Sequence, residues 1–406
     1  MKLKTLTIEG YKGFEKQITI DFAEKTTAIV GVNGSGKTSI LEAIKVILSR
    51  VYKRFVVKPP RLDLLSINAN SEKAIINLTF ILKEEQITTW FEFNKRSYVA
   101  FGGSQMEDVD DNSQENKNIP IVLIYSTDRG VSDINLNKKD PPNNSSVYLK
   151  AMEGAFAGKT NFDAFFEWFK EREDYENEVR LSEDPAFRLK DLNAVRKAIV
   201  GFLDDFDDLR VKRHPKVDMV IKKGKTELSI NQLSHGERIV LAMIGDIARR
   251  LSLANPELED ALEGEAVIMI DEIELHLHPK WQRKIIKNLE KTFPNCQFVI
   301  TTHSPQVLSE LDHKIDKTIL LDNYEVFDLP ISYGRDSNWI LDVLMQVPSR
   351  PIEIQEKLDQ YFELIDLGKI EEAKSLRSEL EDLIGTDEPE FIKADILMRR
   401  KLKVTK

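Results

Sequence analysis

Gly31-Val32-Asn33-Gly34-Ser35-Gly36-Lys37-Thr38 decides how this chain is read. The apolar run Thr27-Ala28-Ile29-Val30 enters it, and Ile40, Leu41, Ala43, Ile44, Ile47 and Leu48 leave it at helical spacing. G-x-x-x-x-G-K-[ST] between a strand and a helix is a phosphate-binding loop. Its glycines let successive N–H groups close on phosphate oxygens, and the positive end of the helix adds about half a charge there. The cradle runs through Asn33, Gly34, Ser35, Gly36, Lys37, Thr38 and Ser39. Lys37 suits the β/γ-phosphates and the Thr38 hydroxyl suits Mg²⁺, so a nucleotide site is expected.

Three later stretches agree with that chemistry. Val267-Ile268-Met269-Ile270 reads as a buried strand ending in Asp271-Glu272. A carboxylate there can hold the water shell of Mg²⁺, which suits Asp271, while Glu272 can orient or deprotonate the water attacking a γ-phosphate. Phe298-Val299-Ile300-Thr301-Thr302 is a second such strand and ends in His303-Ser304, where an imidazole can donate to the γ-phosphate. Leu233-Ser234-His235-Gly236-Glu237 opens a helix expected over 233–253. It reads equally as an anion site at a helix N-terminus or as an N-cap serine with a glutamate three residues on.

Composition narrows the class. The chain has 406 residues, enough for two or three domain-sized units, with 41% hydrophobic and 31% charged residues. Its formal charge is −10, so any contact with nucleic acid must be local. A local candidate is Lys45, Arg50, Lys53, Arg54, Lys58 and Arg61 with Tyr52 and Phe55, although a solvated helix end explains it as well. The single cysteine, Cys296, excludes an intrachain disulfide and a multi-cysteine zinc site. No apolar run reaches the roughly 18 residues of a membrane span, and the N-terminus alternates like a strand, so a cytoplasmic protein without membrane contact is expected.

Elsewhere, Leu3 to Phe22 reads as a hairpin, 75–80 and 88–93 as paired strands, and Ile121 to Tyr125 as an apolar strand. Loops are expected over 106–118 and 138–144. Val147 to about Asp205 is helical, with Phe162, Phe165, Phe166 and Phe169 as a core stripe. Strands over 217–222 and 226–230 follow, and three amphipathic helices over 352–367, 370–384 and 391–402 close the chain. His276 and His278 have the spacing of a metal pair, but packing is the better reading in a chain with six histidines.

Taken together, the four motifs resemble the ABC-type ATPases of the SMC, Rad50, RecF and OLD kind. The resemblance implies an α/β P-loop head, a mixed and parallel sheet flanked by helices, with a helical insertion and a small C-terminal helical region. The corresponding segments are 1–145 with the P-loop, 146–210 as the insertion, 211–330 with the remaining motifs, and 331–406 for oligomerisation or partner binding. It also implies ATP and Mg²⁺, with Glu272, His303 and Lys37 catalytic and Thr38 and Asp271 on the metal. Ser234, Gly236 and Glu237 would complete the site of a second copy, Glu274 to Pro279 would cross to that copy, and Lys12 would approach the nucleotide. The stretches "NQLSHGERIVLAMIGDIARRL", "GEAVIMIDEIELHLHPKWQRKI" and "FPNCQFVITTHSPQVLSEL", with the tail, are similar to the ATPase subunit of Septu-type anti-phage systems, including versions that accompany retrons. That implies a separately encoded HNH nuclease as partner, and DNA or a retron reverse transcriptase with its DNA as further ones. A RecF- or SMC-like repair ATPase and a transporter subunit are the alternatives; the missing coiled coil counts against SMC or Rad50 themselves, and the absence of a Gln in Ser126-Thr127-Asp128-Arg129 with the acidic end of the signature counts against the transporter. No Toprim or HNH pattern is present, so no nuclease activity is expected of this chain alone.

Overall fold

The computed structural model describes residues 1–52, 62, 64–96, 99–103, 120–129, 147–160 and 162–404. The loops expected over 106–118 and 138–144, and Lys53, Arg54, Phe55, Lys58 and Arg61 of the basic stretch, lie outside the described residues. The chain forms two compact units, Met1–Ser337 and Asn338–Lys406.

Among the described residues, three sheets build the first unit. The central one has six strands in the order β14 (Glu325–Asp328), β13 (Lys317–Asp322), β3 (Thr26–Val30), β12 (Cys296–Thr302), β11 (Ala266–Ile270) and β7 (Ile121–Tyr125). All neighbours run parallel except the β13–β14 hairpin. Strands β3, β7, β11 and β12 are buried along their whole length. Helices and a second sheet cover them, which is why they read as unbroken apolar runs instead of alternating. Cys296 behaves as a small hydrophobe there, its thiol pushed up to about 12 by burial.

A five-stranded antiparallel sheet carries β2 (Ile18–Asp21), β1 (Lys2–Glu9), β4 (Lys73–Leu82), β5 (Glu85–Asn94) and β6 (Val99–Gly103), in that order. The hairpin turn at Lys83-Glu84 places both residues at positive φ (49° and 68°), as a two-residue connection of matching twist requires. Buried Gln297 of β12 joins the two sheets. It accepts from the Leu3 N–H at 2.6 Å and donates to the Leu3 and Ala23 carbonyls at 3.0 and 2.7 Å.

The helix after the P-loop, α1 (Lys37–Val51), touches β4, β5 and β12 and so lies between these sheets. Arg50 near its end stacks on Phe91 at 4.1 Å and donates to Val46 O at 2.7 Å. That arginine is part of the packing, not a free cation on a solvated face.

The helical tract contains α2 (Val147–Met152), α3 (Phe162–Ser182) and α4 (Lys190–Phe202), all packed on α5 (His235–Ala254). Phe162, Phe165, Phe166 and Phe169 are buried, as the helical spacing predicts. A third sheet, β8 (Phe206–Lys212), β9 (Asp218–Lys223) and β10 (Thr226–Ser229), precedes α5. Strand β8 is absent from the sequence reading, because Asp207 and Asp208 interrupt its alternation where the register shifts.

Short helices α6 (Pro279–Gln282), α7 (Ile285–Thr292) and α8 (Pro305–Leu308) complete the first unit. Helix α5 is anchored by a buried polar group. Asp246 accepts from Tyr125 Oη at 2.9 Å, Arg250 Nε at 2.8 Å and Arg249 Nη2 at 3.1 Å. Burial works to raise its pKa, but the two guanidinium groups prevail and the net direction is down.

The second unit contains helices Ile352–Asp366, Ile370–Ile384 and Pro389–Val404 around Leu358, Tyr361, Ile365, Ala373, Leu380, Phe391 and Ala394. Gly368 and Gly385 take positive φ at the two connections. No helix among the described residues is long and apolar enough to cross a membrane.

Candidate functional site

Strands β3, β11 and β12 are neighbours, and their C-terminal ends carry the P-loop, Asp271-Glu272 and His303 respectively. In parallel sheets this edge is where ligands bind. Gly36, at φ 105°, is the N-cap of α1, a conformation from which a Cβ is normally excluded. It sits against Phe14 and Tyr324, whose rings meet edge to face at 5.4 Å.

Lys37 is buried and its Nζ donates to the carbonyls of Gly31 and Val32 at 2.9 and 3.0 Å. Burial lowers its pKa, while Glu272, Asp271 and Glu274 act to keep it charged. A cation whose hydrogen bonds among the described residues go to loop carbonyls suits an incoming phosphate, which supplies the opposite charge at contact.

The acidic strand end is fixed from several sides. Thr38 Oγ1 donates to Asp271 Oδ2 at 3.0 Å, and Thr301 Oγ1 donates to Asp271 Oδ1 at 2.5 Å. The Thr301 hydroxyl also accepts the Glu272 N–H at 2.7 Å. Glu272 takes φ 47°, a left-handed turn immediately after the strand. Glu274 accepts the His303 N–H with one oxygen, while its Oε2 is buried and unpartnered among the described residues.

Among the described residues, His303 Nε2 and Ser35 Oγ are also buried without a partner. Burial and then the charge of Lys37 lower the His303 pKa. Unpaired polar atoms in the P-loop and at the ends of β11 and β12 fit a polar ligand that would satisfy them. Thr38 with Asp271 provides the oxygen donors Mg²⁺ requires.

The signature stretch is built differently. Exposed Ser234 caps α5, and its hydroxyl accepts the Glu237 N–H at 3.4 Å and donates to Glu237 Oε2 at 2.8 Å. Glu237 Oε2 also accepts the Ser234 N–H at 2.9 Å, completing the capping box, and Lys223 pairs with its other oxygen. Among the described residues, no hydrogen bond joins Ser234, Gly236 or Glu237 to the P-loop of the same chain. A Cβ on Gly236 would meet the His276 carbonyl at 2.4 Å, so this glycine permits the close approach of helix and following loop.

Two further sequence candidates are occupied locally. The rings of His235 and His276 meet at 4.6 Å, and His278 caps α6 by accepting the Lys280 N–H. Among the described residues no group of three or more His, Cys, Asp or Glu could hold a metal. Lys12, at φ 50°, pairs with Glu42 on α1.

Comparison with known proteins matches residues 26–309 to the family described as "AAA domain, putative AbiEii toxin, Type IV TA system". The chain is 30% identical to the "Retron Ec83 probable ATPase" of Escherichia coli, over 99% of this chain and 87% of the relative. The chain belongs to the AAA-domain ATPase family. It is also 25% identical to the "Septu protein PtuA" of Bacillus thuringiensis, over 75% of this chain and 72% of that one. Among solved structures, the Smc head bound to the C-winged helix domain of ScpA matches with a TM-score of 0.50 at 14% identity, covering 82% of this chain and 98% of that one. That likeness concerns the fold, an ABC-type ATPase head.

Within this ATPase, sequence reasoning passed over two site groups. Thr301 fixes both acids, and its signal was a hydroxyl in the buried strand Phe298–Thr302. Arg129 lies in the loop noted only for its missing glutamine, yet its guanidinium donates to the Asp271 and Glu272 carbonyls. No local pattern announces that contact.

Proposed function

We propose that two copies of this ATPase sandwich ATP, and that the assembly is the ATP-driven subunit of an anti-phage defence system controlling a separately encoded HNH nuclease. Each copy binds triphosphate on Asn33–Ser39 and Lys37, with Lys12 nearby. The other copy completes the site with Ser234, Gly236 and Glu237. Thr38 and Asp271 would hold Mg²⁺, which when bound neutralises charge on the phosphate oxygens. Glu272 orients water and takes its proton as the terminal P–O bond breaks, and His303 donates to the γ-phosphate. DNA, or a reverse transcriptase with its DNA, is the further partner class.

One observation carries the shared site. Among the described residues, buried polar atoms lack partners at the P-loop edge, while Ser234 sits exposed in its helix cap. The likeness to retron and Septu ATPases supports the defence role.

Glu272→Gln tests the scheme. It should bind ATP normally, slow turnover by about 10² to 10⁴, and accumulate an ATP-bound oligomer visible by mass measurement. Wild-type turnover would remove Glu272 from the mechanism, and a monomer at saturating ATP would remove the sandwich. Purification of wild type alongside its neighbouring gene products should recover an HNH protein; recovery of none overturns the nuclease partner.

A further inference from the structure

The loop leaving β7 carries a charged group that none of the four motifs includes. Arg129 is only 2% exposed and makes no ion pair among the described residues. Its Nη1 donates to the Asp271 carbonyl and, at 3.3 Å, to the Ser126 carbonyl, while Nη2 donates to the Glu272 carbonyl at 2.6 Å. Burial lowers its pKa, with Asp271, Glu274 and Glu272 opposing that effect. A desolvated guanidinium is thus directed at the backbone of the one turn that bears both acids.

That turn needs holding. Glu272 adopts φ 47°, disfavoured for any residue with a Cβ. Its N–H is fixed by Thr301 Oγ1 at 2.7 Å. Its carbonyl accepts from Arg129 and from the Leu275 N–H at 2.9 Å, and the preceding carbonyl, that of Asp271, accepts from Arg129 as well. Both peptides flanking the Glu272 Cα are therefore clamped, and their orientation sets where its side chain leaves the backbone.

Arg129 is itself held. Its carbonyl accepts from Thr160 Oγ1 at 3.1 Å, and Ser126 bonds through both N–H and hydroxyl to the Gly158 carbonyl at 2.8 Å.

We propose that Arg129 is a positioning residue for hydrolysis: its forked guanidinium keeps the Asp271–Glu272 turn in the left-handed form that aims the Glu272 carboxylate. The inference rests on Glu272 acting on the attacking water. Lysine replaces the fork poorly, because a compact ammonium on a flexible stem lacks the rigid planar pair of donors that fixes the two carbonyls relative to each other.

The test uses the full chain with Arg129→Met, which keeps length without donors, and Arg129→Lys. Turnover should fall about 10- to 100-fold in both, the range expected for a misaimed group. Affinity for a fluorescent ATP analogue should stay within about threefold of wild type, since the P-loop is untouched. In a Glu272→Gln background, Arg129→Met should slow the residual rate by less than about twofold, because its target is already disabled. Wild-type turnover in either Arg129 variant overturns the proposal. So does a parallel loss of ATP affinity, or a full multiplicative effect on top of Glu272→Gln. If Arg129→Met does not fold, Arg129→Lys decides by the same measurements. Failure of the Glu272 reading is separate: Glu272→Gln alone would then hydrolyse ATP at the wild-type rate.

Discussion

The P-loop edge and the Ser234–Glu237 turn are fastened in opposite ways. The P-loop half is assembled from distant residues: Thr38 and Asp271 are 233 positions apart, Asp271 and Thr301 thirty, Arg129 and Asp271 142. The signature half is fastened by neighbours, Ser234 to Glu237 three positions on and Lys223 to Glu237 fourteen before. The geometry at the P-loop edge therefore exists only when the central sheet is in register. The Ser234–Glu237 turn takes its hydrogen bonds from the start of its own helix and from Lys223 of β9, with His276 packed against Gly236 and His235.

The strongest break in that contrast is Lys37→Ala. Lys37 is buried, its pKa is lowered by that burial, and its Nζ contacts are two backbone carbonyls. Removing it should leave the melting temperature of the nucleotide-free protein within a few degrees, because a desolvated cation disappears with it. ATP affinity should fall roughly 10²-fold or more, the effect of losing one partner of a desolvated charge pair. Calorimetric titration with a non-hydrolysable analogue checks this; retained affinity would mean that Lys37 serves the loop and not the phosphate.

A smaller but more discriminating break is Ser234→Arg. It costs the helix cap about 1 kcal/mol and places a long cation on the exposed turn. Hydrolysis should drop to background while each subunit still binds ATP. Mixing it with Lys37→Ala should restore part of the activity, since a mixed pair contains one intact P-loop opposite one intact signature. Steady-state hydrolysis across mixing ratios reads this out. A flat zero at every ratio would mean that the two halves are not shared between copies.

The same contrast explains what could be read from sequence. Strands β3, β11 and β12 were legible because burial on both faces leaves continuous apolar runs, and each ends in a residue of the proposed site. The capping box was legible because it spans four residues, as were the three terminal helices with their glycine connections. Thr301 and Arg129 were not, because each earns its role by touching a turn that sequence places far away. Strand β8 was hidden by its register shift at Asp207. The reading of Ser234 stayed open because helix cap and phosphate ligand require the same hydroxyl, and in a single chain the structure displays only the cap.

The smallest expected effect lies at the other end of the P-loop strand. Asp316, just before β13, accepts the Thr26 N–H at 3.1 Å and the Asp312 N–H at 2.9 Å, while Thr26 Oγ1 donates to Glu290. Burial, then the neighbouring Glu290, pushes the Asp316 carboxyl up to about 8. A raised acid keeps its proton in the folded state after the unfolded chain has lost it. Its contribution is complete below about pH 4 and disappears as pH rises through about 8. Asp316→Asn removes the titration while keeping a neutral side chain of the same size. Wild-type stability relative to this variant should therefore decline from pH 6 to pH 9, by about 1–3 kcal/mol, at about 2–4 °C of melting temperature per kcal/mol. Melting curves of both proteins across that range make the measurement. A constant difference would mean that Asp316 stays ionised beside Glu290, and that β3 starts on a charged anchor instead of a shared proton.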